Sequence, residues 1–226
     1  MRLNKYISET GACSRREADK WIEAGRVSLN GQPATLGTQV ADGDEVRIDG
    51  NLIGVKKQQV YIALNKPVGI ICTTEAHIED NIIDHVGYPE RIFPVGRLDR
   101  DSEGLILLTN NGDIVNEILR SENNHEKEYV VTVDRPITDL SLRMLAAGVK
   151  IMGEVTKPSK VTRVNAQSFR IILTQGLNRQ IRRMCSALGY KARRLQRVRI
   201  MNIHLGNLRP GQWRHLTRAE LAGLMG

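Results

Sequence analysis

The chain has 226 residues, 41% hydrophobic and 26% charged, with a formal net charge of +8, which allows one full core and a satellite domain. The lack of any apolar run near about 18 residues excludes a bilayer-spanning helix, and the polar N-terminus lacks the apolar core of a secretory signal, so a cytoplasmic protein is expected. Three scattered cysteines, Cys13, Cys72 and Cys185, fit neither a disulfide framework nor a zinc site and read as reduced thiols.

The first elements are helical. Leu3, Tyr6 and Ile7 at helical spacing predict a short helix ending near Gly11. Ser14 and Glu17 in "SRRE" form a capping box that opens a second helix, which Gly25 closes. "RVSLNGQPATLGTQVADGDEVRIDG" then alternates apolar and polar residues around NG and DG turns, the pattern of short antiparallel strands. Residues 1–50 are therefore read as one small domain, 51–59 as a polar linker, and 60–226 as a second domain.

In the second domain strands are expected at 60–65, 105–109, 128–133, 169–173 and 198–203, and helices at 112–120, 138–147, 178–188 and 218–225. Thr217 and Glu220 make a second capping box. Strands that do not strictly alternate with helices predict an α+β domain with a mixed, largely antiparallel sheet.

The stretch "VGRLDRDSEGLILLTNNGD", 95–113, sets Asp99, Asp101, Glu103 and Asp113 around an apolar strand. Asp99, Asp101, Glu103 and Gly104 match the start of a calcium loop, but Asn110 stands at the twelfth position, where a bidentate carboxylate is required. A solvated turn is the simplest alternative. Against it stands "LNRQIRRM", a helix with Ile181, Met184, Cys185 and Leu188 on one face and Arg179, Arg182 and Arg183 at its margins. A carboxylate beside such an arginine stays ionised and can act as a nucleophile.

Charge is segregated along the chain. Residues 155–219 carry fifteen Lys and Arg and no Asp or Glu, whereas the remainder carries eighteen basic and twenty-five acidic residues. Such a field concentrates polyanions and displaces counterions from phosphates, so a nucleic-acid partner is favoured over a merely solvated basic face.

"LNKPVGI" (64–70), "GRLDRDSEGLILLTNNGD" (96–113), "EKEYVV" (126–131) and "GLNRQIRRM" (176–184) resemble, in order, the motifs of the pseudouridine synthases of the RsuA/RluB/RluE/RluF family, and look most like its RluF branch. The N-terminal stretch resembles the alpha-L, or ribosomal-protein-four-like, RNA-binding domain. Members of that branch often extend into a basic tail, and this chain ends at Gly226.

The resemblance implies Asp99 as catalytic aspartate, Tyr129 as the active-site tyrosine that packs on the base and is the candidate to take the proton from carbon 5, and Arg182 as the basic partner of the aspartate. Lys66 and Pro67 belong to the first motif, with a structural role. Arg97 is the residue to fill the gap left by an extruded base, and Arg179 and Arg183 are phosphate contacts. Arg15, Arg16 and Lys20 are RNA contacts of the first domain, with a salt-paired surface beside Glu17, Asp19 and Glu23 as their alternative.

The implied reaction isomerises a uridine without cofactor or metal. Asp99 attacks ribose carbon 1 or uracil carbon 6, or promotes elimination at the ribose; the sequence does not choose. A monomer acting on a hairpin of large-subunit (23S) ribosomal RNA is expected. The alternatives are the same chemistry on tRNA or 16S ribosomal RNA, or a non-catalytic ribosome-assembly protein. By itself Tyr129, an aromatic in a strand, would be read as core.

Overall fold

A computed structural model describes residues 1–54, 58–119 and 125–225 of the chain, which separate into two compact units. The first comprises Met1–Val60 with Tyr88–Ile92 and Asn110–Gly112; the second holds the rest.

In the first unit, α1 (Leu3–Glu9) and α2 (Arg15–Glu23) pack beside a sheet of β1 (Val27–Leu29), β2 (Gln32–Pro33), β3 (Val46–Ile48) and β4 (Asn51–Leu52). The sheet order is β2-β1-β3-β4 and every pairing is antiparallel. Ser14 Oγ accepts the Glu17 amide at 3.1 Å, one half of the expected capping box, while Glu17 turns its carboxylate towards Lys20. Leu3, Ile7, Ala18 and Ile22 face a core shared with Val27 and Val46. The stretch read as a linker begins as structure: Asp49 and Gly50 take positive φ and fold β4 back onto β3, as an Asp-Gly turn favours. Residues 55–57 of that stretch lie outside the described residues.

The second unit contains β5 (Tyr61–Lys66), α3 (Ile82–Val86), β6 (Phe93–Val95), β7 (Glu103–Thr109), α4 (Gly112–Leu119), β8 (Lys127–Val133), α5 (Asp139–Ala147), β9 (Lys150–Ile151), β10 (Glu154–Val155), β11 (Lys160–Arg163), β12 (Ser168–Leu173), α6 (Gln180–Ala187), β13 (Ala192–Ile200), β14 (Ile203–His204), β15 (Trp213–His215) and α7 (Arg218–Met225). Residue 120, included in the helix expected at 112–120, lies outside the described residues. Among the described residues nine strands join in one sheet along the path β11-β12-β8-β13-β7-β5-β15, with β14 on β13 and β6 on β7. Its named pairings are antiparallel except β13 with β7, which is parallel. The sheet is thus α+β and largely antiparallel, as its pattern predicts.

Two apolar clusters among the described residues of this unit bear on the site, beside further buried residues such as Ile62, Leu64, Ile106 and Leu108. One gathers Val131, Phe169, Ile171, Leu145, Ile181 and Met184, joining β8 and β12 to α5 and α6. The other gathers Ala63, Leu105, Leu107, Ile114, Ile203 and Leu224. Burying each such aliphatic side chain contributes about 1.5–3 kcal/mol. The central strand β13 begins at Ala192, well before the predicted 198, because its arginines hide the apolar alternation. No helix among the described residues is long and apolar enough to cross a membrane.

Candidate active site

The turn after β5 is built on Lys66, which is fully buried. Its Nζ donates to the carbonyls of Pro67 at 2.9 Å and Ile70 at 2.8 Å, which closes the turn around the cation; burial pulls its pKa down. That turn grips the loop between β6 and β7. The Gly69 amide donates to the Arg100 carbonyl at 2.8 Å, and Arg100 Nε returns a bond to the Gly69 carbonyl at 3.0 Å. On the loop itself, the Leu98 amide donates to Cys72 Sγ and the Ser102 amide to the Asp99 carbonyl at 3.0 Å. The Asp99 side chain, 35% exposed, is thereby presented from a fixed backbone. Lys66 and Pro67 thus meet within the turn that grips the loop, the Pro67 carbonyl accepting from Lys66 Nζ.

The arginines come from α6. Arg179 precedes the helix in the left-handed conformation, φ 50°, which costs a non-glycine residue about 1–2 kcal/mol. This turn swings its guanidinium over the loop. Nη1 and Nη2 each lie 3.0 Å from one carboxylate oxygen of Asp101, and Nη1 lies 3.4 Å from Asp99 Oδ2. The pairing with Arg179 holds the Asp101 carboxyl below its ordinary range and pushes the Arg179 pKa up.

Arg182, expected to pair with Asp99, has different partners. Its Nη2 donates to the Asp101 carbonyl at 2.7 Å and to Ser102 Oγ at 3.2 Å, Nη1 donates to the Ala192 carbonyl at 2.9 Å, and Nε lies 3.3 Å from Asp101 Oδ2. One turn into the helix and only 13% exposed, it is spent on the backbone beneath the loop. Arg179, expected to meet phosphate, is the arginine beside Asp99. Arg183 is exposed and folds back on Asn178.

Both sides of this network border a cavity of about 1130 Å³ in the second unit. Asp99, Arg179 and Arg182 line it together with Tyr129 of β8, and exposed Arg97 stands on its wall. Tyr129 is half-buried, its ring packed against the β8–β12 core while it borders the cavity, so the core reading and the site reading both describe it. Leu107, Leu195 and Ile200 add apolar surface. Three further cations line the same space: Lys127, Arg197 and Arg100, the last paired with Asp80 at 3.1 Å. Among the described residues no three His, Cys, Asp or Glu side chains gather as a metal set. Arg15, Arg16 and Lys20 lie exposed on α2 of the other unit, Lys20 3.6 Å from Glu17.

The sequence does not single out Lys127 and Arg197, and it marks Asp101 only as a carboxylate of the 95–113 stretch, not as a site residue. Lys127 had a signal: two residues before Tyr129 on a strand, it shares the tyrosine's face. Asp101 looked like any turn carboxylate, and Arg197 lay in the part of β13 that its charges concealed.

The chain matches two family models, RNA pseudouridylate synthase over residues 60–187 and the S4 domain over residues 1–46. It is 58% identical over 226 residues to the dual-specificity RNA pseudouridine synthase RluF of Escherichia coli (strain K12), covering 99% of this chain and 78% of that protein. It is 32% identical over 232 residues to the ribosomal large subunit pseudouridine synthase B of Bacillus subtilis (strain 168), covering 99% and 95%. A solved structure of a pseudouridylate synthase superposes with a TM-score of 0.72 at 31% identity, covering 99% of each chain.

Proposed function

This chain belongs to the RNA pseudouridylate synthase family and carries an N-terminal S4 domain, and from that premise we propose that it isomerises a specific uridine in a hairpin of large-subunit ribosomal RNA, with Asp99 as the catalytic carboxylate. The observation that carries the reading is Asp99 itself, held on a clamped loop at the wall of a cavity it shares with Tyr129, with Arg179 3.4 Å away. Isomerisation breaks the bond from ribose carbon 1 to uracil nitrogen 1 and rejoins the sugar to carbon 5; nothing is oxidised or hydrolysed, so a carboxylate, a cation and a base-stacking ring suffice without a cofactor. Asp99, with the Arg179 guanidinium 3.4 Å away, supplies the attack or assists departure of the base. Tyr129 stacks on the uracil and takes the proton from carbon 5. Arg182 fixes the loop through Asp101.

A base inside a stem must be flipped out, at a cost of a few kcal/mol. Arg97 fills the vacated space, Arg183 meets phosphate, and Arg15, Arg16 and Lys20 of the S4 domain add backbone contacts that offset that cost. The relative named for the ribosomal large subunit supports the substrate class. The 58%-identical relative named for dual specificity favours a second one, and transfer RNA is our candidate.

The test is tritium release from ribosomal and transfer RNA labelled at uracil carbon 5, prepared from cells lacking the enzyme. Wild type releases tritium and Asp99→Asn does not, while both keep the same RNA affinity. Tight binding with no release by wild type from either RNA would replace the reading with that of a ribosome-assembly protein.

A further inference from the structure

Beside the network of Asp99, Asp101, Arg179 and Arg182, and apart from exposed Arg97, the cavity holds two cations without a carboxylate, Lys127 and Arg197. Arg197 lies on the central strand β13, with Tyr129 of β8 as its cross-strand partner and Gly104 of β7 on its other side. It is only 3% exposed. Its Nε donates to the Leu105 carbonyl at 2.6 Å, but Nη2 is buried with no hydrogen-bond partner. Lys127, two residues before Tyr129, lines the same cavity, and the one hydrogen bond of its side chain among the described residues is a 3.5 Å contact of Nζ with the His125 carbonyl. Burial, and then the charge of Arg197, lower the Lys127 pKa. Among the described residues neither cation forms an ion pair. Two neighbouring cations without an anion, one with an unsatisfied donor, are costly unless an anion joins them.

We propose that Lys127 and Arg197 form a binding site for the uracil anion released during the reaction, recognising the carbonyl edge of the base. This deepens the reading above and rests on it. When the bond from ribose carbon 1 to uracil nitrogen 1 breaks, its electron pair leaves on the base and spreads over nitrogen 1 and the two carbonyl oxygens. The negative charge persists until carbon 5 bonds to carbon 1 of the sugar, which neutralises the base; carbon 5 then loses its proton and nitrogen 1 gains one. Fixed cations in a water-poor cavity stabilise charge that develops there far better than water does. A backbone phosphate stays outside with the strand, whereas a 97% buried guanidinium meets only what enters the cavity. Apolar Leu107 and Ile200 border the same cavity, which suits a flat base and not a phosphate.

Two measurements test the pair. The first uses the full chain without RNA and compares binding of 5-nitrouracil, an anion at neutral pH, with that of neutral uracil by saturation-transfer NMR. Wild type prefers the anion by about tenfold or more, and Lys127→Met loses the preference while Lys127→Arg keeps it. The second is single-turnover tritium release, which slows about 10²-fold in Lys127→Met, the scale of one lost oxyanion donor, with RNA affinity unchanged. Equal affinity of wild type for both bases overturns the inference. So does a Lys127→Met variant that binds RNA more weakly yet turns over at the wild-type rate, which would assign Lys127 to phosphate. Anion preference without tritium release from any RNA would overturn the synthase reading and leave the anion site standing.

Discussion

Arg179 grips Asp101 with both terminal nitrogens at 3.0 Å while standing 3.4 Å from Asp99. One guanidinium therefore serves two carboxylates, and the closer pairing goes to Asp101 and not to Asp99, the carboxylate proposed to do the chemistry. Asp101 fixes the plane and position of the cation, and Asp99 receives its field with its own oxygens left free to react. Because the fork is what fits, Arg179→Lys keeps the charge and loses the geometry. Turnover at saturating RNA should fall about 10- to 100-fold, the worth of a charged hydrogen bond of roughly 1.5–3 kcal/mol. A fall in RNA affinity with unchanged turnover would return Arg179 to the phosphate role expected for it.

Tyr129 separates its two duties by substitution. Tyr129→Phe keeps the ring against the β8–β12 core and removes the hydroxyl. RNA affinity and thermal midpoint should hold, and tritium release should slow by about 10²–10⁴-fold, the usual range for a lost proton acceptor. Release at the wild-type rate would show that another group takes the proton.

Gly104 is a close-approach glycine. At φ 104°, a Cβ on it would sit 2.3 Å from the Arg197 carbonyl oxygen and 2.7 Å from the Arg197 nitrogen. Gly104→Ala should cost more than about 4 kcal/mol, or fail to give soluble protein, since neither strand can retreat inside the sheet. Gly153→Ala is the control: its φ is 88°, but nothing lies within 4 Å, so only the backbone strain remains. Equal urea midpoints for the two variants would contradict the packing described.

Glu220 ties α7 to β15. Its carboxylate takes Arg214 at 2.6 and 2.8 Å and the Thr217 amide at 2.9 Å, which lowers its pKa to about 2, with Arg214 the main cause. An acid depressed on folding stabilises above its unfolded value of 4.5 and loses that contribution as pH falls towards 2. With partial exposure screening the pair, we expect Glu220→Gln to cost about 1–2 kcal/mol at pH 7. In urea titrations that gap from wild type should narrow below pH 4.5 and close near pH 2.

The elements most readable in the sequence are those whose apolar period is uninterrupted. β5, β7, β8 and β12 start within two residues of expectation. β13 was half missed because Arg193, Arg194, Arg197 and Arg199 break its alternation; Arg194 and Arg199 are compensated by Glu103 and by the Glu126–Glu128 pair on distant strands. The same effect recasts the charge argument. Of the fifteen cations in residues 155–219, eight meet carboxylates in three dimensions, namely Lys160, Arg163, Arg170, Arg179, Arg182, Arg194, Arg199 and Arg214. A run without acids along the chain is therefore partly neutralised by acids from elsewhere in the sequence. Motif spacing brought Asp99, Tyr129 and Arg182 to one cavity, but which arginine meets Asp99 depends on the left-handed backbone at Arg179, which no periodicity announces.

The position of β13 also sets an order of events. It joins β8 on one side and β7 on the other, and its partners on β7 are some ninety residues earlier in the chain. Until it inserts, the strands bearing Tyr129 and those flanking Asp99 have no shared edge. Closing so long a loop is entropically slow and comes late in folding. A nascent chain on the ribosome therefore carries its aspartate and its tyrosine in separate pieces, and the ability to modify RNA arises only after β13 has been made.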